Sequence, residues 1–252
     1  MIKRWWRIFL TTAAPEGFVR VYGAWVGYLA AVGAILFGLG ALYGLFVAPA
    51  DYLQGESYRI IYLHVPAASL ALSCYLLLAV LGVIFLVWKI GAAYELARAV
   101  APIGLVWAVI SLVTGAIWGK PTWGAYWVWD ARLTSMLILA FLYVGVLLLQ
   151  GAFEDSGSRG KAAAILAIVG TINLPIIKYS VDWFNTLHQG SSLSVTGNTS
   201  IDSSMLWPLL SCIAGAYLLT MALGIYRACT FLLERHQNKR WVGRYLNQSE
   251  EV

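Results

Sequence analysis

WGKPTWGAYWVWDARLTS, residues Trp118 to Ser135, sets four tryptophans and a tyrosine in the twelve residues from Trp118 to Trp129, and Asp130 and Arg132 follow at once. Tryptophan is bulky and carries one N–H donor that needs a partner when buried. A run of this kind serves as an interfacial belt, its rings at headgroup level, or as a wall for a flat, apolar ligand. Pro121 suits the first turn of a helix. A short helix opening there would put Trp123, Trp127 and Asp130 or Ala131 on one face, with Tyr126 and Trp129 in an adjacent stripe. Taken by themselves, these residues leave both readings open.

The rest of the chain fixes the solvent. Of 252 residues, 60% are hydrophobic and 12% charged, where a soluble domain carries about 25% charged residues. The apolar residues fall into six charge-free runs: Val21–Ala50, Ile60–Trp88, Ala99–Gly119, Leu133–Phe153, Ala162–Ile177 and Ser203–Tyr226. A spanning helix needs roughly 17–25 such residues. Ala162–Ile177 alone falls short, with 16 residues before Lys178, so its ends must stretch. The expected fold is an all-α integral membrane protein, a single polytopic domain over residues 1–252 with six transmembrane helices.

Charge orients it. Thirteen of the 17 Lys and Arg lie before the first run, between the second and third, between the fourth and fifth, or after the sixth. Positive residues favour the cytoplasmic side. Both termini are therefore expected in the cytoplasm, as segments 1–20 and 227–252, with loops 51–59, 119–132 and 178–202 outside. The tryptophan-rich segment 118–135 and a histidine loop, 178–204, then share the outer face. This asymmetry accounts for the net charge of +5, so the bilayer and no nucleic acid is the partner that it implies. Lys3, Arg4 and Arg7 before an apolar run ending VAPA (Val47–Ala50) mimic a signal peptide, but a signal core is only about 7–15 residues long. This run has 30 and reads as a retained first span, with KRWWRIFL (Lys3–Leu10) as a basic, aromatic segment on the cytoplasmic surface.

Several chemistries drop out. Cys74, Cys212 and Cys229 form neither C-x-x-C nor C-x-x-C-H, which removes dithiol redox work and covalent haem attachment to this chain. GAIWGKPT (Gly115–Thr122) has Pro121 where a phosphate loop needs Ser or Thr for magnesium. There is no internal repeat. Asn173 with Pro175, inside the fifth run, reads as a satisfied kink.

Three histidines occur. His236 belongs to the basic tail and reads as solvated. His64 lies two residues before Pro66, at the outer end of the second span. His188 follows VDWFNTL, whose Val181, Phe184 and Leu187 recur at a spacing that fits a helix on the membrane surface. Either histidine alone reads as interfacial; together on one face, on both sides of the tryptophan run in sequence, they become candidate metal ligands. Neutral imidazole is a common metal ligand and an axial ligand to haem iron. Two axial nitrogens would stand roughly 4 Å apart, at about 2 Å per bond. A porphyrin suits a row of rigid rings, and Arg59 and Arg132 are then partners for its propionates or, equally, for lipid headgroups.

WGKPTWGAYWVWDARLTS resembles the WWD motif of haem-handling membrane proteins. With YRIIYLHVPAA (Tyr58–Ala68), NTLHQG (Asn185–Gly190) and six spans, the chain from about Val21 to Tyr226 resembles the CcmC family of cytochrome c maturation. The resemblance implies a bacterial inner-membrane protein that holds b-type haem non-covalently at the periplasmic surface. It would pass the haem to the haem chaperone CcmE and work beside CcmA, CcmB and CcmD. The family's axial histidines map onto His64 and His188, and its aromatic motif onto Trp118, Trp123, Tyr126, Trp127, Trp129 and Asp130. Tyr126 stands where tryptophan is more usual, and an aromatic face survives.

Two imidazoles on one iron leave no open coordination position, and the outer face offers no general-base pair, nucleophile or redox thiol. Holding and release are the expected task, not catalysis. The rivals are a WWD-type cytochrome c haem lyase, which would need more spans and mid-span histidines, and a haem-permease subunit. The latter would need more polar groups across the bilayer than Ser111, Thr114 and Asn173.

Overall fold

A computed structural model of the chain describes residues 11–152, 156–188 and 201–250. The expected surface segment Lys3–Leu10 and the loop beyond His188, residues 189–200, lie outside these. The described residues are helical apart from connecting loops and one isolated bridge, Asp51 to Gly55. Six helices are long and apolar enough to cross a membrane: Val26–Phe46, Glu56–Trp88, Gly91–Trp123, Ala131–Gly151, Gly160–Trp183 and Ser203–Arg235.

The helices are α1 (Pro15–Gly23), α2 (Val26–Phe46), α3 (Ile61–Trp88, entered through a 3₁₀ turn at Glu56–Ile60), α4 (Gly91–Trp123), α5 (Ala131–Gly151), α6 (Ser156–Gly170), α7 (Asn173–Trp183), α8 (Ser203–Arg235) and α9 (Arg240–Glu250). α3 is the hub, packing on α2, α4, α6 and α8, while α5 joins α4 to α6 and α7. Between apolar helices in lipid, close packing replaces the hydrophobic drive, and small residues permit it. α2 and α8 meet in this way. A Cβ added to Gly215 would lie 2.4 Å from Phe37 N, and one added to Gly33 would lie 2.9 Å from Leu219 N.

Backbone and side-chain polar groups inside a bilayer must find partners within the protein. At the centre Tyr75 and Tyr143 meet edge to face, with centroids 5.1 Å apart, and the buried Tyr143 hydroxyl donates to Ala71 O at 2.7 Å. Asn173 Nδ2 donates to Ser135 O at 2.8 Å, across from the break at Thr171–Ile172 that separates α6 from α7. The kink expected from Asn173 and Pro175 is thus present, and its amide is paired. At the bundle end away from Trp118–Arg132, Glu95 is buried and paired with Arg235 at 2.8 Å and Arg98 at 3.5 Å.

Two local expectations are corrected. Pro121 opens no helix: α4 continues through it to Trp123, and Gly124 stops it in the left-handed region at φ 79°. Pro121 sits in the last turn, where its missing N–H costs α4 one bond near an end that frays anyway. Residues 124–130 are not helical, and Asp130 opens α5 instead by accepting Leu133 N–H at 2.8 Å. Nor does VDWFNTL form a separate surface helix. α7 runs on past Lys178 and ends at Trp183, with Phe184 extended, because the chain beyond is tied by Thr186 to Asp130. The fifth span is therefore longer than its charge-free run, Gly160–Trp183 against Ala162–Ile177.

Candidate functional site

His64, Trp118, Trp123, Trp127, Arg132 and His188 line one cavity of about 410 Å³, within the roughly 300–1,000 Å³ usual for small-ligand sites. Ala68, Leu72 and Met136 are among its apolar residues. The two histidines of its wall are each held by specific contacts.

His64 stands in the first turn of α3. Its Nδ1 lies 2.9 Å from Thr114 Oγ1 on α4. Its ring meets Trp118 edge to face, with centroids 5.5 Å apart and planes at 79°. Trp118 is fixed in turn: its Nε1 donates to Gln54 Oε1 at 2.7 Å, and Tyr58 packs on it at 5.7 Å. Two residues one turn apart on α4 thus hold one imidazole.

His188 lies on irregular chain after α7 and is held by a relay. The Thr186 hydroxyl donates to the Asp130 carboxylate, and its oxygen accepts the His188 backbone N–H at 3.1 Å. Asp130 therefore performs two tasks, capping α5 through Leu133 and tethering the His188 segment. Arg132 Nη1 lies 3.3 Å from His188 Nδ1, and Trp123 packs on the ring with centroids 5.9 Å apart. Trp123 folds back over Gly119, where an added Cβ would come within 3.0 Å of its ring.

The sequence-named residues separate accordingly. His64, His188, Trp118, Trp123, Trp127 and Arg132 share the cavity wall. Tyr126 and Trp129 do not line it; they are 60% and 77% exposed. Trp129 leans on Trp127 at 5.4 Å, and Lys120 lies over Tyr126. Arg59 also lies off the wall, donating to Gly44 O at 2.7 Å and paired with Glu56. His236 is remote, its Nδ1 2.9 Å from Leu232 O. Sequence reasoning missed Lys178, Gln54 and Thr122 in the wall, and Thr114 behind His64. Lys178 had a signal, a lone cation at the end of an apolar run, but that position reads first as a span boundary.

The donor set is selective. Arg132 and Lys178 line the cavity, and no carboxylate does so among the described residues. Trp127 keeps a buried Nε1 with no hydrogen-bond partner among them. No group of three or more His, Cys, Asp or Glu suited to a bare metal ion occurs among the described residues. Two imidazoles facing a cavity with aromatic walls fit instead a metal whose equatorial positions a flat macrocycle already fills.

The fold and the cavity define a class: a six-span membrane protein with a tryptophan-walled, two-histidine cavity at one end of its bundle. The sequence profile of CcmC, described as heme exporter protein C, matches residues 8–243, and the chain belongs to that family. It is 46% identical over 237 residues to heme exporter protein C of Escherichia coli (strain K12), covering 94% of this chain and 96% of that one. The figures are the same for heme exporter protein C of Haemophilus influenzae. A putative cytochrome c biosynthesis ccmC-like mitochondrial protein of Marchantia polymorpha is 48% identical over 193 residues, 77% of this chain and 78% of that one.

Proposed function

We propose that this chain holds haem non-covalently at the periplasmic face of the bacterial inner membrane and delivers it to the haem chaperone CcmE, beside CcmA, CcmB and CcmD. The observation that carries the reading is the convergence of His64, at the start of α3, and His188, 124 positions later by the numbering, on one cavity. Family membership supports the same cargo, since its relatives are named heme exporters.

His64 and His188 would hold a haem in this cavity through its iron, which would supply the ligand exchange by which the cargo is kept or let go. The chain's own groups do the rest. Trp118, Trp123 and Trp127 offer flat apolar walls, each aromatic contact adding about 0.5–1.5 kcal/mol beyond buried area. Arg132 offers a fork of donors to a propionate, and Lys178 and the unpaired Trp127 Nε1 are further donors on the same wall. Arg59, already engaged by Glu56 and Gly44, is the lesser propionate candidate. Asp130 serves the site by holding His188 rather than by touching the cargo. Tyr126 and Trp129, exposed beside the cavity, are the rings that a soluble acceptor meets first. With both imidazoles given to the cargo, the task is holding and release.

The test is optical. His64→Ala and His188→Ala should each abolish the two-histidine haem spectrum, added imidazole should partly restore it, and His236→Ala should keep it. An unchanged spectrum in either outer variant removes that histidine from the ligand set.

A further inference from the structure

Thr114 is buried on α4, 7% exposed, with its hydroxyl oxygen 2.9 Å from His64 Nδ1. A hydroxyl has one proton to give. Here it goes to the helix backbone, to Ile110 O at 2.6 Å, with Ser111 O at 3.3 Å as the longer choice. The oxygen then faces His64 as an acceptor only, so Nδ1 must carry the hydrogen of that contact. In a neutral imidazole the other nitrogen, Nε2, is left with its lone pair, which is the form a metal binds.

The same turn of α4 fixes the ring's angle. Next to Thr114, Gly115 leaves the room that the ring occupies, since a Cβ there would lie 3.1 Å from His64 Cε1. Trp118, one turn on, closes the other side edge to face. His188 is held differently: Arg132, a donor only, is the group beside its Nδ1, so a neutral ring keeps its hydrogen on Nε2 until Arg132 turns to a propionate. The two histidines are therefore not equivalent.

We infer that Thr114 is a positioning residue for the cargo site, fixing His64 in the Nδ1–H tautomer and dedicating Nε2 to the iron. This rests on the reading of His64 as an axial ligand. An acceptor on the far nitrogen of a metal-bound imidazole fixes its orientation and raises its basicity, and loss of such a partner typically costs about 10–100-fold in affinity. A more electron-rich imidazole stabilises ferric iron, so Thr114 holds the reduction potential of the bound haem down.

The experiment uses the full chain, purified in detergent and loaded with haem. Thr114→Val keeps the shape and removes the acceptor; Thr114→Ser keeps the acceptor. Thr114→Val should retain the two-histidine spectrum while its midpoint potential shifts positive and haem release to an excess of apoprotein acceptor quickens about tenfold. Thr114→Ser should match the parent in both. Thr114→Ala, which adds no atoms, replaces the valine variant if that one does not accumulate. The control is His64→Ala supplied with 1-methylimidazole, which binds iron but has no N–H to offer; there Thr114→Val should change neither quantity. Unchanged potential and release in Thr114→Val overturn the inference, as does an equal shift in the 1-methylimidazole background, which would mark a packing effect. Persistence of the two-histidine spectrum in His64→Ala would instead defeat the ligand assignment itself.

Discussion

Replacing Thr186 by Val keeps the size and β-branching of the side chain but deletes the hydroxyl between Asp130 and the His188 backbone. Two hydrogen bonds go. One is to a charged carboxylate, worth about 1.5–3 kcal/mol, and one joins neutral partners, worth about 0.5–1.5 kcal/mol. Thr186, Asp130 and His188 are only half-buried, so water compensates part of the loss and about 2 kcal/mol is a fair expectation. That energy bears on the position of the His188 segment and not on the bundle, because Asp130 still caps α5 through Leu133. At 1.4 kcal/mol per decade, the dissociation constant for haem should rise about 10–30-fold. Titrating haem into the purified apoprotein, followed by absorption, measures it, with thermal unfolding as the check that the fold is intact. Asp130→Asn keeps the cap, since Asn and Asp cap helices about equally, yet weakens the same tether. The double variant should then be little worse than Thr186→Val, as changes that share one contact are not additive. Unchanged affinity in Thr186→Val, or fully additive losses, would refute the relay.

Trp123→Ala combined with Trp127→Ala should lower bound haem or its transfer to the chaperone at normal protein level, whereas Trp5→Ala and Trp6→Ala should do neither. Equal content and transfer in the double variant would leave the interfacial-belt reading standing. Lys178→Ala should weaken haem binding several-fold at low salt and leave binding of haem dimethyl ester, which has no carboxylates, unchanged. A matching loss with the ester would show that Lys178 does not meet the propionates. For topology, single cysteines at positions 55 and 197 should label in intact cells and those at 157 and 245 should not, against a low background because Cys74, Cys212 and Cys229 are buried. Labelling at 157 would sink the termini-inside arrangement.

Six spans were legible in the sequence because lipid imposes a coarse rule, length and apolarity, that single residues cannot hide. Their ends were not, because an end is decided by what the chain meets next. A charge-free run stops at Lys178, but the helix does not: the residue is part of a cavity wall, and the five residues after it still continue α7. Pro121 carries two opposite helix rules, favoured in a first turn and tolerated in a last one. Gly124 in the left-handed region and the cap at Asp130 settle which applies.

The site was legible to the extent that rarity points to chemistry. With three histidines in the chain, two on one face beside a tryptophan run are easy to pair. What the sequence could not show is how they are held, since the deciding contacts join positions far apart: His64 to Thr114, Trp118 to Gln54, Thr186 to Asp130. The same distance explains Asp130 and Arg59. In sequence both sit beside cavity residues and look like ligand contacts, yet both are engaged elsewhere, Asp130 with Leu133 and Thr186, Arg59 with Glu56 and Gly44. The WWD segment thus divides its labour along its length. Trp118, Trp123 and Trp127 face the cavity, Trp129 stays outside, and Asp130 anchors the loop that brings the second histidine in. A segment built this way couples the aromatic wall to His188, so a partner that moves residues 124–130 would loosen His188 in the same motion.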